Sequence, residues 1–148
     1  MKSSEQKSLS ILSREYLYQV WQMSKVDIHV MSEDDQLLSF IMNEHEEFLD
    51  YWENFEKWRD HEFDPEQEVN PYLHVSLHHM VETQIRNEAP PEVEKVFQAL
   101  KNNGLDRQTA IHRIGDVFLK YLMRSLQEQK DFDMRAYLGE LILLPQKI

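Results

Sequence analysis

His74 and His78 stand four residues apart, and Glu82 follows after the same interval. On an α-helix at about 100° per residue, with His74 at zero, His78 falls near 40° and Glu82 near 80°. Leu77, Val81 and Ile85 fall near about 300°, 340° and 20° on the same wheel. Both imidazoles therefore share the apolar face, Glu82 sits at its margin, and His79, near about 140°, is expected outside. A second pair at the same spacing, His112 and Asp116, flanks an apolar stripe near Leu119 and Met123, with Gly115 between them leaving room for a close neighbour. His45 falls between Ile41 and Trp52 in the middle of a third apolar arc, with Glu44 pointing about 100° away.

Helices that project His and carboxylate side chains towards one interior are the means by which helical proteins build metal sites, as in hemerythrin-like and carboxylate-bridged folds. Neutral imidazole and carboxylate bind zinc, iron, manganese or nickel without thiolates. His74, His78 and His112 are the first candidate ligands, and His45, Glu82 and Asp116 complete one or two coordination spheres. Zinc with an open position would suit hydrolysis, with Glu82 or Asp116 as base, whereas iron or manganese would suit oxygen or redox chemistry. Two metal-free readings stand beside this one. The histidines could pair with Glu82, Asp116 and tyrosine hydroxyls in a structural network that fixes register, or line a catalytic pocket. Leaving so many buried polar groups unsatisfied would cost about 1–3 kcal/mol each, which a metal or a complete network avoids.

The elements that must position these residues are helical. Three glycines and five prolines in 148 residues, with abundant Glu, Gln, Leu and Met, favour an all-α chain. Leu12, Tyr16, Val20 and Met23 form one side of an amphipathic helix from Ser8 to about Met23, extended by Leu9 and Trp21. That face suits core packing and a homodimer contact equally. Lys25–Met31 alternates like a strand but has no partner strand, so it reads as an extended connector. Ser32, followed by Glu33, Asp34 and Asp35, caps a second helix running through Leu37, Leu38, Ile41, Met42, His45, Phe48, Leu49 and Trp52. These side chains fill an arc of roughly 140°. In 53–69, Asp64-Pro65 marks a turn, and Phe55, Trp58 and Phe63 pin the segment to the body.

Asn70-Pro71 opens the helix of the His pair, which runs to about Arg86 before Pro90-Pro91. Pro91 opens the next, with Val93, Val96, Phe97 and Leu100 inward and Asn102-Asn103-Gly104 as its stop. Asp106 caps a helix from Arg107 to about Gln127, with Ile111, Ile114, Phe118 and Leu122 inward. Asp133 caps a last one through Leu144, ended by Pro145. The expected architecture is a single-domain helical bundle of five to six helices over residues 1–148, with residues 1–8 a frayed polar tail.

A net charge of −11 argues against nucleic-acid and anionic-membrane partners, which call for a basic surface. Without cysteine there is no disulfide, iron–sulfur cluster or thiolate ligand, so a metal would be held by nitrogen and oxygen. No Gly-rich phosphate loop occurs, and no Ser-His-Asp order singles out a nucleophile. The N-terminus lacks the apolar core of a secretory signal, and no stretch approaches the ~20 apolar residues of a membrane span; a cytoplasmic location is the expectation.

Asn70-Pro71-Tyr72-Leu73-His74 with Leu77-His78, followed by Glu82 and Gln84, resembles the signature of a small bacterial family catalogued as a domain of unknown function. Its members read Asn-Pro-aromatic-Leu-His-x-x-Leu-His, with a Glu-His pair upstream and a helical His downstream. Glu44-His45 and His112 stand where those would fall, and Tyr137-Leu138 is similar to the family's C-terminal Tyr-Leu. The resemblance covers about residues 12–144. The chain departs from it at Glu46, where the family has Pro, and at Gln67-Glu68-Val69, where it has a Gly. The resemblance implies one helical domain and no assignable activity. The function expected is an internal His/carboxylate divalent-metal site of unknown reaction. The alternative is a non-catalytic acidic interaction protein whose buried histidines form a structural hydrogen-bond network, docking an unknown protein partner through the first helix or Leu138–Leu144.

Overall fold

Among the described residues every regular element is helical, and several begin at a side chain that caps them. The structure, a computed structural model, describes residues 14–64 and 66–147. The tail, Leu9, Leu12 and the Ser8 start of the first helix lie outside the described residues, as does Pro65. Among the described residues there are eight α-helices and no strand. They fall into two compact units, and the division comes after His79.

The first unit opens with α1 (Arg14–Val26), whose Leu17, Val20 and Trp21 are buried. Met23, expected on that buried side, is 44% exposed, because the face turned to the core is set by Leu17, Val20 and Trp21. The expected extended connector is instead a 3-10 turn, Ile28–Val30, capped by Asp27, whose side chain accepts from the His29 amide. Helix α2 (Glu33–Glu44) starts at Ser32, whose hydroxyl accepts from the Asp35 amide, and three acidic residues in its first turn suit the helix dipole.

The single long helix expected through Trp52 is broken twice. It stops at His45, resumes as a 3-10 turn (Glu46–Phe48) running into α3 (Leu49–Glu53), and breaks again at Asn54 before α4 (Phe55–Trp58). These breaks account for eight helices where five to six were expected. Leu37, Leu38, Ile41, Met42, Trp52, Phe55, Tyr72 and Val75 form this unit's core with the α1 residues. Fully burying side chains of this size stabilises by about 1.5–3 kcal/mol each.

Arg14 ties the segment after α4 to α1. Its Nη1 donates to the carbonyls of Trp58 (3.1 Å), Arg59 (3.1 Å) and His61 (2.7 Å), and its guanidinium lies over the rings of Phe63 and Tyr72. The turn at Asp64 is present, its carbonyl accepting from Gln67 and Glu68. Helix α5 (Pro71–Asn87) begins as expected: Asn70 Oδ1 accepts from the amides of Tyr72 (3.1 Å) and Leu73 (3.2 Å), and Pro71 needs no acceptor.

The second unit takes in α5 from Met80, then α6 (Pro91–Asn102), α7 (Arg107–Glu128), α8 (Met134–Leu143) and a 3-10 turn (Leu144–Lys147). The apolar stripes of α6 and α7 are buried as expected, with Gly104 at φ +97° ending the first. Asp106 and Asp133 cap α7 and α8 through the amides of Thr109 and Ala136. Tyr137, fully buried, packs against Phe118 and donates its hydroxyl to Gln84 Oε1 at 3.0 Å. No described helix is long and apolar enough to cross a membrane.

Candidate functional site

The break at His45 gives this residue its geometry. Its backbone (φ −95°, ψ 70°) is close to an inverse γ-turn rather than helical, so its side chain folds back along α2. Ring Nδ1 lies 2.8 Å from the Ile41 carbonyl oxygen. A carbonyl only accepts, so Nδ1 carries the proton and the ring's lone pair resides on Nε2. The same contact satisfies one of the carbonyls left open at the end of α2.

His74 enters from the first turns of α5, whose start is anchored twice. Asn70 caps it, and Tyr72, buried two residues before His74, donates its hydroxyl to the Tyr51 carbonyl at 2.9 Å. Burial raises the Tyr72 phenol to about 12 against the opposing pull of Arg14. The His74 ring centre lies 5.0 Å from that of His45 at 75°, and a nitrogen of each lies within 4.8 Å of the other. His78, one turn along α5, is 2% exposed and presents its ring edge-on to His45 at 5.3 Å. Three of the expected histidines, His45, His74 and His78, are thus in ring contact within the first unit.

His79 does not point outward. It is 5% exposed, and Nε2 donates towards Asp34, with Oδ1 at 3.1 Å and the carbonyl oxygen at 3.3 Å. The start of α2 covers the flank of α5 that a single apolar stripe leaves open.

In the second unit Glu82 is not at a margin either. At 2% exposed it is buried, and its carboxylate pairs with Arg107, the first residue of α7. Arg107 is a partner the sequence reading missed. Its signal was an arginine at a helix N-terminus, where the dipole disfavours a cation unless a carboxylate faces it. His112 is half-buried on α7, and Asp116, one turn later, is exposed. Partial desolvation raises the Asp116 carboxyl, while His112 and Arg113 pull it down. The charge of His112 also helps to lower Asp106, although hydrogen bonds from Thr109 dominate there.

A family model described as Domain of unknown function (DUF1841) matches residues 11–142. No curated protein and no solved structure matches the chain.

Proposed function

The chain belongs to that family of unknown function, and with no activity to inherit from it we propose that the protein binds a divalent transition metal through His45 and His74 of the first unit. One observation carries this reading. His45 and His74 each offer one ring nitrogen, and these two nitrogens lie within 4.8 Å of each other. Metal–nitrogen bonds of about 2.0–2.1 Å set ligand nitrogens roughly 3.3 Å apart in a tetrahedral site, so modest side-chain rotations close the difference.

His45 adds a second support. Donation of Nδ1–H to a backbone carbonyl, with Nε2 left as the ligand nitrogen, is the usual arrangement of a metal-bound imidazole. His78, whose ring meets that of His45 edge-on, is proposed to complete the coordination sphere or to hold water beside it. Glu82 is the weakest of the six expected ligands, because Arg107 already holds its carboxylate. A nitrogen-rich donor set suits zinc or iron(II) better than manganese, which favours oxygen. Such an ion supplies Lewis-acid chemistry when bound, and redox chemistry if it is iron.

The metal-free network has its own support, since His79 with Asp34 and Glu82 with Arg107 are buried polar groups satisfied by protein partners. Metal analysis of untagged, freshly purified protein separates the two readings. Binding predicts stoichiometric zinc or iron, lost in His45→Ala and His74→Ala, and a melting temperature that falls with chelator. Metal-free protein whose melting temperature ignores both chelator and added zinc would sink the metal reading in favour of the network.

A further inference from the structure

We infer that Phe48 is a positioning residue for the ligands His45 and His74, an inference that rests on the metal reading above. Its ring lies parallel to that of His45, with planes 1° apart and centres 5.6 Å apart. It also meets the His74 ring edge-on, at 5.4 Å and 76°. One aromatic side chain therefore contacts two imidazoles that arrive from different helices.

The backbone explains the arrangement. His45 is the N-cap of the 3-10 turn Glu46–Phe48, and the Phe48 amide donates to the His45 carbonyl at 2.9 Å. In 3-10 geometry side chains three residues apart eclipse, which lays Phe48 alongside His45. An uninterrupted α-helix would splay the two by about 60°. Phe48 is itself held edge-on by Tyr51 (6.1 Å) and Trp52 (6.4 Å), so the plane it presents is fixed.

Its burial also differs from that of a core residue. Trp52 and Phe55 beside it are 1% exposed, whereas Phe48 is only partly buried and lies against the core rather than within it. The His45 ring is thereby restrained from two directions: the Ile41 carbonyl fixes its tautomer, and the Phe48 face fixes its plane. The second contact fixes the His74 plane as well. Residues that orient ligands without binding the metal typically change metal affinity by about 10–100-fold when removed.

Cobalt(II) is the probe, because its visible d–d bands report ligand geometry. Phe48→Met and Phe48→Leu remove the flat ring, and Phe48→Tyr keeps it; the apo melting temperature of each is measured alongside. The expected result is cobalt binding at least about tenfold weaker, with altered d–d bands, in the Met and Leu variants, and near-native binding and spectrum in the Tyr variant. Native cobalt affinity and spectrum in the Met or Leu variant, whatever its apo melting temperature, would overturn the role of Phe48. Wild-type protein that takes up neither cobalt nor zinc would overturn the metal reading itself, a separate outcome.

Discussion

Replacing Arg14 by Ala should destabilise the protein by about 2 kcal/mol. Arg14 brings one Nη1 to three carbonyl oxygens at the end of α4, at 3.1, 3.1 and 2.7 Å. One nitrogen carries two hydrogens, so the three contacts amount to two shared donors. A hydrogen bond from a charged group contributes about 1.5 kcal/mol at the lower end of its range. The guanidinium also lies 5.1 Å from the centre of Phe63 and 5.0 Å from that of Tyr72, each contact adding about 0.5 kcal/mol at a site water reaches. Water entering the vacated space returns part of this, because the freed carbonyls are only partly buried, and about 2 kcal/mol remains. For a chain of this length that is a fall in melting temperature of roughly 4–8 °C.

Urea denaturation of the wild type, Arg14→Ala and Arg14→Lys measures the effect. Lysine keeps the charge but lacks the planar fork that bonds carbonyls while stacking on two rings, so it should recover less than half of the loss. A second readout is independent of stability. The Arg14 cation pulls Tyr72 ionisation down, so its removal should push the Tyr72 phenol further up in an absorbance titration. Arg14→Lys matching the wild type, or Arg14→Ala costing under about 0.5 kcal/mol, would refute the clamp.

Three further outcomes follow from other parts of the molecule. Gly115→Ala should stabilise by about 0.5–1 kcal/mol in thermal unfolding, since alanine is the better helix former and an added Cβ would meet Val81 Cγ2 at an ordinary 4.0 Å; destabilisation would mean that α7 needs the glycine for close approach. Arg107→Ala should cost about 1–3 kcal/mol in urea, discounted for the half-exposed arginine, and adding Glu82→Gln should recover part of it, because a buried amide is easier to leave without a cation than a carboxylate; additive losses in that double-mutant cycle would show the pair to be uncoupled. Burial raises Tyr16 and Tyr72 from 10.0 to about 12, with the Asp35 hydrogen bond adding to the effect at Tyr16. The unfolded chain then releases protons first, so this contribution is complete below about pH 10 and is lost as pH rises to about 12; melting temperatures across that range should fall, and a flat profile would contradict the shifts.

The sequence made the helix boundaries legible wherever short-range chemistry decides them. Ser32, Asn70, Asp106 and Asp133 each bond an amide within three residues, and Gly104 takes a backbone that other residues avoid. No long-range information is needed at such positions. The inward faces of α6 and α7 were legible for a related reason: Val93, Val96, Phe97 and Leu100 on α6 and Ile111, Ile114, Phe118 and Leu122 on α7 are all buried, although Met123, expected in the α7 stripe, is exposed and Ser125 is buried in its place.

Helix α5 defeats that logic because it is covered on more than one side. Val75, Ser76, His78, His79, Val81 and Glu82 are all buried, an arc too wide for a stripe of Leu77, Val81 and Ile85 to reveal. Polar residues on the extra flank are buried only because particular partners, Asp34 for His79 and Arg107 for Glu82, come from distant positions in the chain.

His45 shows the same limit from the other direction. Phe48, Leu49 and Trp52 continue the apolar phase of α2 across it, so periodicity alone predicts an unbroken helix. At the break the imidazole bonds the Ile41 carbonyl, and the rings of His74, His78 and Phe48 pack around it, contacts that no local pattern announces. An intact helix would separate His45 from Phe48 around its circumference and keep the imidazole from folding back on the Ile41 carbonyl. The geometry on which the proposed ligand role of His45 rests is thus a consequence of the break. A variant that restored helical backbone there would be expected to gain local helix propensity and lose the proposed metal binding. Finding both intact together would separate the break from the site.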